Sequence, residues 1–110
     1  MDLVQLSQVM AERRQSGKLY KEFLRLPTLS VGLYEMLAGS TDPQKPHTED
    51  EVYYVVKGRA RFRSGTEDVP VETGSVLLVR AGEVHAFHAL EEDLSLLVFF
   101  APAEGTMKTD

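Results

Sequence analysis

The stretch PHTEDEVYYVVKG, Pro46 to Gly58, carries the reading of the whole chain. Its second half, Val52 to Val56, is a run of β-branched and aromatic residues closed by Gly58, the pattern of a strand that ends in a turn. Its first half is polar. His47, Glu49 and Glu51 have the same parity, so on a strand they share one face. Four residues of straight strand cover roughly 13 Å. His47 and Glu51 therefore reach one ion only if the backbone bends between them, and Thr48 to Asp50 is a suitable place for a bulge. Glu49 lies about 6.6 Å along the strand from His47 and is the easier partner by distance alone.

The rest of the chain limits what this stretch can do. Its 110 residues suit one domain with a single core. With 43% hydrophobic and 26% charged residues the composition is that of a globular protein rather than a disordered one. The formal net charge is -5 and the basic residues are scattered, which argues against a nucleic-acid partner. There is no cysteine, so disulfides, thiolate metal sites and a cysteine nucleophile are all excluded. In the opening MDLVQLSQVMAERRQSG the acid precedes the apolar part and the basic residues come after it, the wrong order for a secretory signal. The apolar run LSLLVFFA is strand-sized, far short of a membrane span. The expectation is a cytoplasmic protein with no membrane partner.

Residues 1–17 read as an amphipathic helix packing on the domain C-terminal to it. Asp2 is the expected N-cap, Leu3, Leu6, Val9, Met10 and Arg13 form one stripe, and Gly17 is the stop. Beyond Gly17 the segments LYKEFLRL, LSVGLYEML, VYYVV, ARFR, EDVPVE, SVLLV, VHAFHAL and LSLLVFF are short and punctuated by Gly and Pro. Many short strands with regular turn signals predict an all-β sandwich or barrel over residues 18–103. Arg59, Arg61 and Arg63 alternate with Ala60 and Phe62, which predicts a half-buried strand with its basic face in solvent. SVLLV is apolar throughout and is expected to be covered on both faces. The tail, residues 104–110, has no pattern and is expected to fray.

There are three histidines, His47, His85 and His88. Without cysteine, a transition-metal site must combine histidine with carboxylates, a set that suits Fe, Mn, Ni or Zn. In RAGEVHAFHAL, Ala81 to Glu83 reads as a turn and His85 as the mouth of the next strand, sharing a face with Phe87. His88 has the opposite parity and is not expected to serve the same ion. Taken singly, a histidine is more often a surface or core residue than a ligand, so residue types alone do not define a site.

The spacing adds a stronger signal. HTEDEVYYVVKG and, downstream of it, GSVLLVRAGEVHAFHA resemble the two signature motifs of the cupin family. The first runs glycine, five residues, His-x-His, three or four residues, glutamate, six residues, glycine; His47, Glu51 and Gly58 fall on its second histidine, its glutamate and its closing glycine. The second runs glycine, five residues, Pro-x-Gly, two residues, histidine, three residues, asparagine; Gly74, Gly82 and His85 fall in register. Lys45 stands at the first histidine, Arg80 at the proline and Ala89 at the asparagine, and Gly39 is one residue off the usual spacing. The resemblance implies a cupin double-stranded β-helix, a jelly-roll barrel, preceded by a short N-terminal α-helix. It also implies a divalent transition metal on His47, Glu51 and His85, with Glu49 replacing the missing histidine or Lys45 pointing at a bound anion instead; the remaining alternative is a site that has lost its metal.

On that footing the first expectation is a small metal-binding cupin, a metal-dependent oxygenase acting on a small chelating organic substrate. Tyr53, Phe87 and Phe99 are its expected pocket wall. The alternative is a non-catalytic cupin module that binds a small molecule with or without metal. A metal-free sugar isomerase or epimerase using His85 and Tyr53 is the weaker third. The apolar LYKEFLRL ahead of the barrel can add a strand to a sheet edge, and many cupins resemble this in dimerising so, which implies a homodimer.

Overall fold

The computed structural model describes residues 1–109 and has one helix and eight strands. The helix is α1 (Leu6–Ser16); the strands are β1 (Tyr20–Leu26), β2 (Leu29–Met36), β3 (Asp50–Lys57), β4 (Arg59–Ser64), β5 (Glu67–Glu72), β6 (Val76–Val79), β7 (His85–His88) and β8 (Leu94–Ala101). They form two antiparallel sheets, one of five strands in the order β1-β2-β8-β3-β6 and one of three in the order β5-β4-β7. β1–β2 and β4–β5 are hairpins, and the chain crosses between the sheets after β3, β5, β6 and β7, the winding of a double-stranded β-helix, as the sequence pattern and the motif spacing together predicted.

The core lies between the sheets. From the large sheet it takes Tyr34, Met36, Tyr53, Val55, Val79, Leu94, Leu96, Val98 and Phe100, and from the small one Ala60, Phe62, Val71 and Phe87. Along β4 the alternation is as read: Ala60 and Phe62 are buried while Arg59, Arg61 and Arg63 are exposed. β6 departs from expectation. It pairs only with β3 at a sheet edge, so Val79 is buried but Val76 and Leu78 are 66% and 58% exposed. Uniform hydrophobicity reported burial of one face, not of both.

α1 covers the outer face of the large sheet over β1 and β2, where Val9 is buried and Arg13 pairs with Glu35 at 2.7 Å. Gly17 ends the helix in the left-handed conformation at φ 72°, as its stop role requires. The start is three residues later than Asp2 predicts: the N-cap is Gln5 and no side chain caps it. Leu3, at 79% exposure, has no sheet beneath it, so a further turn would bury nothing.

Ala89, at the family's closing asparagine position, has φ 50°. A β-carbon is strained there, whereas asparagine tolerates it. Ala89→Asn is therefore expected to stabilise the fold by about 0.5–1 kcal/mol. Chemical denaturation measures this; an unchanged or lower midpoint would show that the turn draws no benefit from the family residue.

Candidate metal centre

The site forms where the open ends of the two sheets meet. β3 begins only at Asp50, and Thr48 and Glu49 form a bend ahead of it. The bend does what a straight strand cannot, bringing His47 Nε2 to 3.9 Å from Glu51 Oε1. His85 arrives from the other sheet at the first position of β7, after a turn in which Gly82 has φ 78°. Two bonds tie that turn to the bend: Gly82 N–H donates to the His47 carbonyl at 2.8 Å and Ala81 N–H to Asp50 Oδ1 at 2.8 Å. The two motifs thus meet through their backbones as well as their side chains.

His47, Glu51 and His85 each offer a donor atom, all within 4.8 Å of one another, so the group can hold a metal ion. Its electrostatics point the same way. Glu51 is 2% exposed and neither of its carboxylate oxygens has a hydrogen bond. His85 Nε2 lies 2.9 Å from Glu51 Oε1. Nδ1 of the same ring is 2.7 Å from the Glu83 carbonyl, to which it donates, so in the neutral ring Nε2 carries the lone pair. A lone pair and a carboxylate oxygen this close repel unless a cation stands between them, either a proton or a metal. Burial alone would pull the pKa of His85 down; Glu51 and the Glu83 carbonyl outweigh it and hold it above the usual histidine value.

His47 is arranged similarly. Its Nδ1 faces Glu104 Oε2 at 3.5 Å and its Nε2 turns toward the site, the orientation a carboxylate imposes on a ligating imidazole. The His47 ring stands edge-on to Phe100, with centroids 4.8 Å apart. Ligands about 2.1 Å from one ion sit about 3.0–3.4 Å apart, and the spacings here, 2.9 Å and 3.9 Å, bracket that range.

The other expected residues divide. Tyr53 is fully buried, with its hydroxyl 3.0 Å from His85 Nε2; burial first and Glu51 second push its pKa well up, so it keeps its proton. Phe87 backs it, ring centroids 5.0 Å apart. His88 faces outward, 3.0 Å from Asp68, away from the ion as its parity indicated. Lys45 is exposed and does not line the cavity. Phe99 lies on the opposite face of β8 from Leu96, Val98 and Phe100, and it is Phe100 that forms the wall. Every residue of LSLLVFF beyond its serine is apolar, so the sequence held no parity signal there; a slip of one residue exchanges the faces.

Glu49 is buried, yet it takes no place beside the three donors. Its carboxylate accepts from the Gly105 and Met107 amides at 2.8 and 2.9 Å and from the Thr48 hydroxyl. The tail is correspondingly tied down through Met107 rather than frayed: Ala103 is fully buried and donates to the Pro27 carbonyl. Asp110 lies outside the described residues. Burial raises the Glu49 pKa, but the Thr48, Gly105 and Met107 bonds outweigh it and hold the carboxyl below its usual range. Its contribution is therefore fully present above the unfolded carboxylate pKa and is lost as pH falls through the depressed folded value. The Gly105 and Met107 amide resonances are expected to move toward unfolded positions below about pH 4. In Glu49→Ala they should sit there at neutral pH; native positions in that variant would refute the latch.

The docked tail brings in Glu104, which the sequence reading missed. With Tyr20, Tyr34, Gln44, His47, Val98 and Phe100 it lines a cavity of about 130 Å³ that reaches His47. Burial raises the Glu104 pKa and His47 partly opposes the shift. Gln44 and Asp42, from the irregular segment between β2 and β3, were also missed. No spacing rule marks either, because neither lies on a periodic element.

Comparison with known proteins agrees with this geometry. The description of the cupin domain (Cupin_2) matches residues 32–100. An uncharacterised protein of Streptomyces coelicolor is 49% identical over 105 residues, covering 96% of this chain and 100% of that one. The Bacillus halodurans protein BH2720 superposes with a TM-score of 0.75 at 19% identity, over 92% of this chain and 80% of that one. KdgF from a Halomonas species gives 0.69 at 23% identity, over 76% and 78%. Similarity at these identities speaks for the fold. No helix among the described residues is long and apolar enough to cross a membrane.

Proposed function

The chain belongs to the cupin family, and from that premise we propose that it is a metal-dependent cupin, with one divalent transition metal on His47, Glu51 and His85 beside a pocket for a small organic molecule. The observation that carries this reading is Glu51, a buried carboxylate with no hydrogen bond, held 2.9 Å from Nε2 of a buried imidazole. Leaving such a group unpaired costs several kcal/mol, about the scale a fold tolerates only where a ligand restores it.

The best-supported activity is that of a small oxygenase. Two histidines and one carboxylate suit iron or manganese, which when bound supplies Lewis acidity and open positions for substrate and oxygen. The chain's own residues do the rest. Tyr20, Tyr34, Val98 and Phe100 shape a small, largely apolar chamber that admits only a small molecule. Glu104 is the carboxyl that faces both the chamber and His47, and it is the group placed to exchange a proton with a bound molecule. Tyr53 and His85 are in mutual contact and buried, an arrangement that leaves no substrate between them and weighs against acid–base isomerase chemistry.

Elemental analysis of untagged protein tests the metal: about one ion per chain is expected, with loss in both His47→Ala and His85→Ala. Unchanged content in His85→Ala would sink the reading. Oxygen uptake with small hydroxyketones and diols then separates an oxygenase from a binding module. The module reading predicts ligand-dependent thermal stabilisation with no uptake.

The same reading includes a homodimer joined through β1. That strand is an unpaired edge of the large sheet, ending in Leu26 at 62% exposure. Light scattering should return twice the chain mass of 12.3 kDa; a monomer at every concentration would refute this.

A further inference from the structure

Lys45 stands at the family's first histidine but its side chain is in solvent, so a ligand position facing the segment before β3 has no imidazole. Gln44, one residue earlier, reaches that position. Its Oε1 lies 3.2 Å from His47 Nε2. The Tyr53 hydroxyl donates to the same oxygen at 2.6 Å, and is itself 3.0 Å from His85 Nε2.

The orientation of the carboxamide is set by its other end. Gln44 Nε2 donates to Asp42 Oδ2 at 3.0 Å. Asp42, 8% exposed, also accepts from the Tyr34 hydroxyl at 2.6 Å, the Gln44 amide at 3.1 Å and the Phe87 amide at 2.9 Å. With four donors converging on it, Asp42 acts as an acceptor and the NH₂ end of Gln44 must face it. The flipped amide would set oxygen against oxygen there, at a carboxylate whose other contacts are all donors. The network therefore holds Oε1 inward.

An amide oxygen has two lone pairs. Tyr53 donates to one. The second faces His47 Nε2, a lone pair itself when the Nδ1 proton is turned toward Glu104. With its proton on Nε2 the ring donates to Oε1; with the proton on Nδ1, two lone pairs face each other 3.2 Å apart, and a cation between them resolves the contact at a spacing within the range for ligands of one ion.

We propose that Gln44 Oε1 is a fourth protein ligand of the metal centre, that Asp42 is the positioning residue holding that oxygen inward, and that Tyr53 donates to it from behind. This rests on the reading that His47, Glu51 and His85 hold a metal. It makes the donor set two nitrogens and two oxygens, with a neutral oxygen in place of an imidazole. Such a set favours harder ions such as Mn(II) and Fe(II) relative to Zn(II).

The test uses the full chain stripped of metal and titrated with Co(II), monitored by its visible absorption and by competition with a chelator. Gln44→Leu is expected to raise the Kd for Co(II) about tenfold to a hundredfold and to shift the visible band. Gln44→Glu, which keeps an oxygen at the same reach but sets its other oxygen against Asp42, is expected to bind more tightly than Gln44→Leu. Gln44→His is expected to raise the preference for Zn(II) over Mn(II). Asp42→Asn should weaken Co(II) binding when Gln44 is present and have little further effect in Gln44→Leu, a coupling that a merely structural aspartate would not show. Wild-type Kd and spectrum in Gln44→Leu, with binding still lost in His47→Ala and His85→Ala, would overturn the fourth ligand alone. No binding by the wild type, or none lost in the histidine variants, would overturn the metal centre and this inference with it.

Discussion

Glu51→Leu is expected to abolish metal binding and, in the metal-free protein, to raise stability by about 1–3 kcal/mol. The two effects have one cause. Glu51 lies in β3 opposite Phe100 of β8 and Val79 of β6, with its side chain on the buried face. A leucine of similar size packs against those neighbours, and no carboxylate is then left without hydrogen bonds. His85 stays anchored after the change, because its Nδ1 still donates to the Glu83 carbonyl. Denaturation of chelator-treated wild type and variant, alongside metal content, gives both readouts. A variant destabilised by a similar amount would mean that Glu51 holds the fold together, and the metal reading would lose its main support.

Gly58→Ala should lower stability by about 3 kcal/mol or more. Gly58 has φ 108°, where an L side chain is strained, and a β-carbon there would lie 2.4 Å from the Asp93 carbonyl oxygen and 3.1 Å from Leu94 Cα. Both are backbone atoms at the entry to β8, and backbone cannot swing aside as the end of a long side chain can. Any accommodation must move Leu94, which is fully buried, and with it the strand that carries Phe100. Metal affinity should therefore fall together with stability. A loss below about 1 kcal/mol, measured by denaturant midpoint, would show that the β3–β4 turn shifts freely.

The contrast between these two positions reflects what was legible in advance. Gly58 closes a strand pattern and sits at a fixed distance from Glu51, so its turn was readable and only the close approach of Asp93 was not. His47, Glu51 and His85 were readable from motif spacing, and the bend between the first two was implied by the length of a straight strand. Glu49 was not. Its parity and distance suited a ligand, but the tail that claims its carboxylate lies more than fifty residues away in the chain. Phe99 and Phe100 could not be told apart, nor could the single covered face of β6, because a run that is apolar at every position has no period to reveal its faces.

By itself the sequence determined the elements. Turn residues cut the chain into strands, alternation gave each amphipathic strand its buried face, and two motifs at set spacing named the family and three donor atoms. Only the tertiary structure decided which irregular segments close over those donors: Asp42 and Gln44 from one loop, Glu104 from the tail. The physical reason is that periodicity encodes the face of a regular element, whereas the path of a loop is set by where its hydrogen bonds end. For Gln44 that is a carboxylate and a tyrosine, and their proximity exists only once both sheets have closed.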